Sequence, residues 1–350
     1  MKFISSSLIY RIKLLSYLLT PPIFHWISNK VSKNRKELLE EDPSFLSSLN
    51  ELESKGIEHF IDPDMVKQFC RAKKLSCSVS DNHYKVDQRL QRNLTELFDD
   101  GFTVVKNVLS EANLKDINSK LVPMAEDGIS RLRGHRDLHN SRVSSKVIKE
   151  VNGNITALYN LYDGVIRFRG IESICPALEN IGISTDIHKI CESYLGGTVS
   201  PSKTYLDVKG IVDATDSSVG LHGDSFTKIC KVFIALEDIT DDNAPFLYFS
   251  RSHKQHKWRL FKDLLEFSNI NSEYHDYFSM YNILSMFKVS EEDNGIDIKP
   301  LRITLKAGDA IIADTAGIHG ATDLISGRRL QIGLVFERRG LGAEDKYAAL

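Results

Sequence analysis

The chain has no paired cysteines. Its five, Cys70, Cys77, Cys175, Cys191 and Cys230, are scattered and odd in number, with none of the short spacings that hold zinc or staple small secreted folds. That excludes a disulfide framework and leaves reduced thiols in a reducing compartment. An excess of one charge is missing too. Lys and Arg total 45 against 47 Asp and Glu, a formal net charge of −2, so no global basic field argues for nucleic acid and no such partner is expected. Repeats and low-complexity tracts are absent, and 42% hydrophobic with 26% charged residues places the chain in the ordinary globular class. It also lacks an unbroken apolar run of about 20 residues, the length a membrane-spanning helix needs.

Acidic residues are absent from the first 36 positions, which carry Lys2, Arg11, Lys13, Lys30, Lys33, Arg35 and Lys36. Leu8, Ile12, Leu15 and Leu19 recur there at helical spacing until Pro21-Pro22. Such a basic amphipathic segment docks on its own domain, lies on an anionic membrane surface or serves as an organellar address. The expected location is cytoplasmic, with peripheral membrane contact through residues 1–36 as an alternative.

What is present is sharper. His222-Gly223-Asp224 is followed far downstream by Gly317-Ile318-His319-Gly320 and then by Arg328-Arg329 heading an apolar run. Residues two apart on a strand share a face, so His222 and Asp224 can aim a nitrogen and a carboxylate oxygen at one point, with His319 as third ligand. Two nitrogens and one hard oxygen on one face suit Fe(II) and leave coordination positions for a co-substrate and O2.

Neighbouring stretches carry a family resemblance. Residues 231–253 (KVFIALEDITDDNAPFLYFSRSH), 97–114 (LFDDGFTVVKNVLSEANL) and 306–319 (KAGDAIIADTAGIH) resemble the central, opening and distal-histidine segments of the phytanoyl-CoA dioxygenase family. The resemblance runs from about residue 93 to 340. It implies an Fe(II)- and 2-oxoglutarate-dependent dioxygenase with His222, Asp224 and His319 as catalytic metal ligands and Arg329 on the far carboxylate of 2-oxoglutarate. Two departures are visible: Arg251 stands where the family often has glycine before Ser-His, and Gly320-Ala321-Thr322-Asp323 replaces a Gly-Ser and Asn pattern, which makes Thr322 the candidate hydroxyl for the co-substrate. Halogenating relatives carry a small residue at the carboxylate position. Asp224 therefore favours hydroxylation, desaturation or ring formation.

Arg328 and Arg329 compete for one role, and alternation separates them. Arg328 shares a face with Leu330, Ile332, Leu334 and Phe336, the side expected beneath covering helices; Arg329 shares the other with Gln331 and Gly333. A polar face with a small residue is the better wall for a dianion, so Arg329 is the expected bidentate clamp and Arg328 a solvated or structural charge.

The expected fold is α+β: a double-stranded β-helix (jelly roll, cupin-like) core braced by helices, with an N-terminal helical extension. Residues 1–36 form the basic segment, 37–92 the helical extension and 93–340 the oxygenase domain. An aromatic insertion over 253–300 reads either as a lid over a small-molecule or lipid-type substrate or as packing of extra helices. Patterning predicts a strand at 102–105, helices over 111–121 and 185–194, and strands mainly from residue 203 onward. His135 and His139, with Arg131, Arg133, Arg136 and Arg142, form a basic cluster that reads as a surface loop or an anion contact. His253 and His256 read as turn residues. Two other functions fit the pattern: a non-catalytic jelly-roll binding module, and a cupin-like metalloenzyme that does not use 2-oxoglutarate.

Overall fold

A computed structural model of the chain describes residues 88–139, 147–161, 163–178, 186–197, 199–211, 221–224, 228–254 and 300–338. These all fall in one of two compact units, formed by 73–254 and 279–350. Residues 1–36, nearly all of 37–92, Arg142, His256 and nearly all of the aromatic insertion lie outside the described residues. No described helix is long and apolar enough to cross a membrane.

Helix α1 (Gln88–Asp100) buries Leu90, Leu94 and Leu97, a spacing that sets one apolar stripe against the core. It ends at Gly101, whose φ of +88° suits glycine, and where a Cβ would come within 2.3 Å of the Tyr248 hydroxyl. Strand β1 (Phe102–Val105) follows, then helix α2 (Glu111–His139), strands β2 (Val147–Asn152), β3 (Ile155–Asn160) and β4 (Val165–Arg169), and helix α3 (Asp186–Leu195). The remaining strands are β5 (Val199–Lys209), β6 (Cys230–Ala235), β7 (Phe246–Tyr248), β8 (Leu301–Ile303), β9 (Ala310–Asp314), β10 (His319–Ala321) and β11 (Arg329–Arg338).

Eight strands form one antiparallel sheet in the order β1-β9-β6-β11-β5-β4-β3-β2, and three form a second, β10-β7-β8. Segment 221–224 extends the small sheet through a single antiparallel bridge between His222 and His319. This is the α+β, double-stranded β-helix core that the sequence implies.

Strand β11 sits between β5 and β6 and organises the large sheet. Its Leu330, Ile332, Leu334 and Phe336 join a cluster with Leu94 and Leu97 of α1, Ile117 and Leu121 of α2, and Ile187 and Ile190 of α3. Each such side chain stabilises the fold by about 1.5–3 kcal/mol on burial. A slip of one residue would turn Arg329 and Gln331 into that apolar layer, so the register is strongly fixed. Gly333 lies opposite Tyr205, and a Cβ there would meet the Tyr205 ring at 2.3 Å.

Two expectations need correction. The helix beginning at Glu111 does not stop at residue 121 but runs 29 residues to His139, through Pro123. Three strands, β2 to β4, precede α3, so strands do not simply follow helices. The alternation in β4, where Ile166 and Phe168 are buried and Arg167 is exposed, was the available signal.

Candidate active site

The turn from β9 into β10 is anchored along its length. The Tyr194 hydroxyl donates to Asp314 Oδ2 at 2.6 Å, the Tyr248 hydroxyl to the Asp314 carbonyl at 2.8 Å, and the Ala316 amide to Asp314 Oδ1 at 3.0 Å. The Ile318 amide donates to Ser252 Oγ at 2.7 Å. Gly317 packs so tightly that a Cβ would sit 2.1 Å from the Tyr248 hydroxyl. These contacts fix His319, whose Nδ1 lies 3.0 Å from the Gly317 carbonyl. A carbonyl only accepts, so Nδ1 carries the proton and Nε2 presents its lone pair. Phe246 stacks on the ring at 5.5 Å between centroids.

Main-chain bonds bring the other two residues to this point. His222 and His319 exchange amide–carbonyl bonds of 2.9 and 2.8 Å, and the Asp224 amide donates to the Thr315 carbonyl at 2.7 Å. His222 and Asp224 thus converge without lying on a regular strand, which differs from the strand pairing expected of them. One ligand atom from each of His222, Asp224 and His319 lies within 4.8 Å of the others. His319 Nε2 is 3.3 Å from Asp224 Oδ2, and His222 Nε2 is 3.7 Å from Asp224 Oδ1. His319 is 5% exposed and His222 50%, so the group opens to solvent on the His222 side.

Burial alone would raise the Asp224 carboxyl, but Lys231 and then His319, when its imidazole is protonated, outweigh it and hold the group well below the usual carboxylate range. The Lys231 ammonium lies 2.7 Å from Oδ2. Oδ2 is buried and makes no bond of hydrogen-bond geometry, so Lys231 acts on it as an ion pair. A bare imidazole nitrogen and a free carboxylate lone pair facing one point make a donor set for a cation, and two nitrogens with one hard oxygen fit Fe(II).

Beyond this group, Tyr205, Asp207 and Lys209 on β5 alternate with buried Leu206 and Val208. Arg329, 8% exposed at its side chain, donates from Nη2 to Asp207 Oδ2 at 2.9 Å and from Nη1 to the Ala244 carbonyl at 2.7 Å. Its Nε is buried without a partner, as is the Thr322 hydroxyl. Lys209 Nζ lies 3.3 Å from the Thr322 carbonyl, which sets Thr322 beside the same polar interior. Gln331 Nε2 and Arg167 Nε also donate to Asp207, at 3.1 and 3.2 Å. Arg328 points elsewhere, paired with Glu237 and Glu126.

The other candidates fall outside the group. His135 binds Glu150 at 2.9 Å, and Arg131 binds Asp127 and Glu150, so they belong to a helix surface and not to a loop. His253 Nε2 contacts the Phe98 carbonyl at 3.0 Å, a turn role. Arg251, standing where glycine is frequent, adopts a φ of +66°, the left-handed region that glycine enters without cost. Asp207, Arg167, Lys209 and Lys231 escaped sequence reasoning, although the alternation of polar and apolar residues along β5 could have flagged the first and third.

The jelly roll with two histidines and a carboxylate at its open side defines a metal-dependent oxygenase. Residues 215–329 match the family model of phytanoyl-CoA dioxygenase (PhyH), and it is this segment that is similar to that family. No curated protein matches over the chain. Among solved structures, HygX from Streptomyces hygroscopicus with nickel and 2-oxoglutarate is similar at 13% identity and TM-score 0.45, covering 71% of this chain and 87% of its own. The nogalamycin-biosynthesis epimerase SnoN is similar at 15% identity and TM-score 0.44, covering 71% and 82%. EctD from S. alaskensis shows 14% identity and TM-score 0.41, covering 73% and 78%.

Proposed function

We propose that His222, Asp224 and His319 hold one ferrous ion, that Arg329 and Thr322 hold the far carboxylate of 2-oxoglutarate, and that the enzyme hydroxylates a C–H bond of a small-molecule or lipid-type substrate. Succinate and CO2 are the co-products. The observation that carries this reading is the convergence of one ligand atom each from His222, Asp224 and His319 within 4.8 Å, with Arg329 Nε and the Thr322 hydroxyl buried without hydrogen-bond partners. Leaving the last two unpaired costs about 1–3 kcal/mol each, and a dicarboxylate would satisfy both.

Bound iron would supply the oxidising power, drawn from O2 and 2-oxoglutarate. The chain's own contribution is placement. The Gly317 carbonyl fixes the His319 tautomer, Lys231 keeps Asp224 ionised, and Asp207 holds the Arg329 guanidinium while leaving Nε free to donate. The half-exposed His222 side leaves room for a substrate, and the buried His319 side is closed to water. A lid formed by residues 253–300 and surface association of residues 1–36 remain part of this proposal.

Anaerobic addition of Fe(II) and 2-oxoglutarate tests it. A weak visible charge-transfer band should appear with both and with neither alone. Iron uptake without the band would point to a cupin-like enzyme, and failure to take up iron to a binding module.

A further inference from the structure

The described side chains around the site carry a positive charge that neither the metal nor the co-substrate would neutralise. Among the described residues, Arg167, Arg329 and Lys231 face two acids, Asp207 and Asp224, and a divalent ion with a dianionic 2-oxoglutarate adds no net charge. At least one positive charge is therefore left over in the loaded site. Arg329 is buried and Lys231 is 19% exposed, whereas Arg167 is 55% exposed. The surplus meets solvent at Arg167.

Arg167 is also held as a fork. Its Nε donates to Asp207 Oδ1 at 3.2 Å, and its guanidinium carbon lies 5.5 Å over the Tyr205 ring. The Arg167 Nη1 and Nη2 atoms take no acceptor among the described residues. Burial would lower the guanidinium's pKa, but Asp207 and, at longer range, Asp224 raise it, so the charge is permanent and lies within electrostatic reach of the metal ligand. Strand register places Arg167 beside Asp207, and Asp207 beside Gln331. Asp207 thus separates the Arg167 fork from Arg329, giving one oxygen to each guanidinium. A guanidinium fixed from behind with two nitrogens facing outward is preorganised for a bidentate oxyanion.

We propose that Arg167 determines specificity by receiving a carboxylate or phosphate group of the oxidised substrate, so that the substrate is an anion. This rests on the metal and 2-oxoglutarate reading above.

The test uses full-length protein loaded with Mn(II) and saturated with 2-oxoglutarate, both bindings being measured first. Inorganic phosphate and acetate then serve as probes, their phosphorus and carbon relaxation being read against concentration. Wild type should show saturable paramagnetic relaxation of at least one probe, and the better probe identifies phosphate or carboxylate as the recognised group. Arg167→Leu should weaken that binding at least tenfold, with Mn(II) and 2-oxoglutarate affinities unchanged, and Arg167→Lys should recover part of it. Those unchanged affinities also report that the variant is folded; if Arg167→Leu does not fold, Arg167→Gln takes its place under the same expectations. The proposal is overturned if neither probe relaxes in wild type, if relaxation persists undiminished without the guanidinium, or if the variant loses 2-oxoglutarate instead. Failure of wild type to bind Mn(II) or 2-oxoglutarate would overturn the underlying site assignment itself, a result distinct from these.

Discussion

Asp207→Asn keeps the shape of the side chain and one acceptor oxygen while removing the charge that Arg329 and Arg167 share at 2.9 and 3.2 Å. Arg329 is buried and cannot release its proton. Removing one partner of a buried ion pair costs about 3–5 kcal/mol, and the surviving oxygen of Asn retains one contact, so the expected loss is about 3 kcal/mol, or about 4 °C in Tm for a chain of this size. Scanning calorimetry at neutral pH measures it. Adding Mn(II) and 2-oxoglutarate brings a carboxylate to the uncompensated Arg329, so the ligand-induced rise in Tm should be larger in the variant than in wild type. The pH dependence has a definite sign. Burial pushes the Asp207 carboxyl up, but Arg329 and Arg167 outweigh it and leave the group below its usual value. Its stabilisation is therefore complete above the unfolded pKa of about 3.9 and is lost as pH falls through the lower folded value. The gap between wild type and variant should be constant above pH of about 5 and close in acid. An unchanged Tm at neutral pH, or a gap that persists into acid, would refute the charge balance drawn here.

Three further expectations concern the site. Asp224→Ala should abolish metal-dependent succinate formation, and undiminished turnover would remove Asp224 from the metal site. Arg329→Ala should weaken 2-oxoglutarate by about ten- to a hundredfold, the worth of about 1.5–3 kcal/mol in a charged hydrogen bond, while Arg328→Ala should leave it nearly unchanged; calorimetric titration decides, and a larger loss at Arg328 would reverse the assignment. Thr322→Val should weaken 2-oxoglutarate several-fold without lowering the Tm of the ligand-free protein, because the hydroxyl has no partner to lose; a lowered ligand-free Tm would show that it serves the fold.

The sequence carried the three converging residues and the jelly roll, because ligand motifs and short alternating strands leave local signatures. The apolar face of β11 was legible for the same reason. Strands β2 to β4 were harder to see: Val147–Asn152 holds only exposed and intermediate residues and shows little apolar alternation, since that strand lies at the sheet edge. The extent of α2 was obscured by Pro123 and by a run of arginines that suits a helix surface as well as a loop. Alternation along β5 marks Asp207 as a polar position, but its meeting with Arg167 and Arg329 depends on strand order across the large sheet, a property of topology that no local pattern records. Arg251 shows the converse. A residue that looked like a departure adopts the left-handed backbone that glycine favours.

The mutual amide bonds between His222 and His319 have a consequence for how the centre is filled. Because peptide groups tie these two segments together, the three proposed ligands need no ion to be brought to one point. Chelators should strip such a protein without unravelling it, and iron added back should restore the centre at once, with no refolding delay.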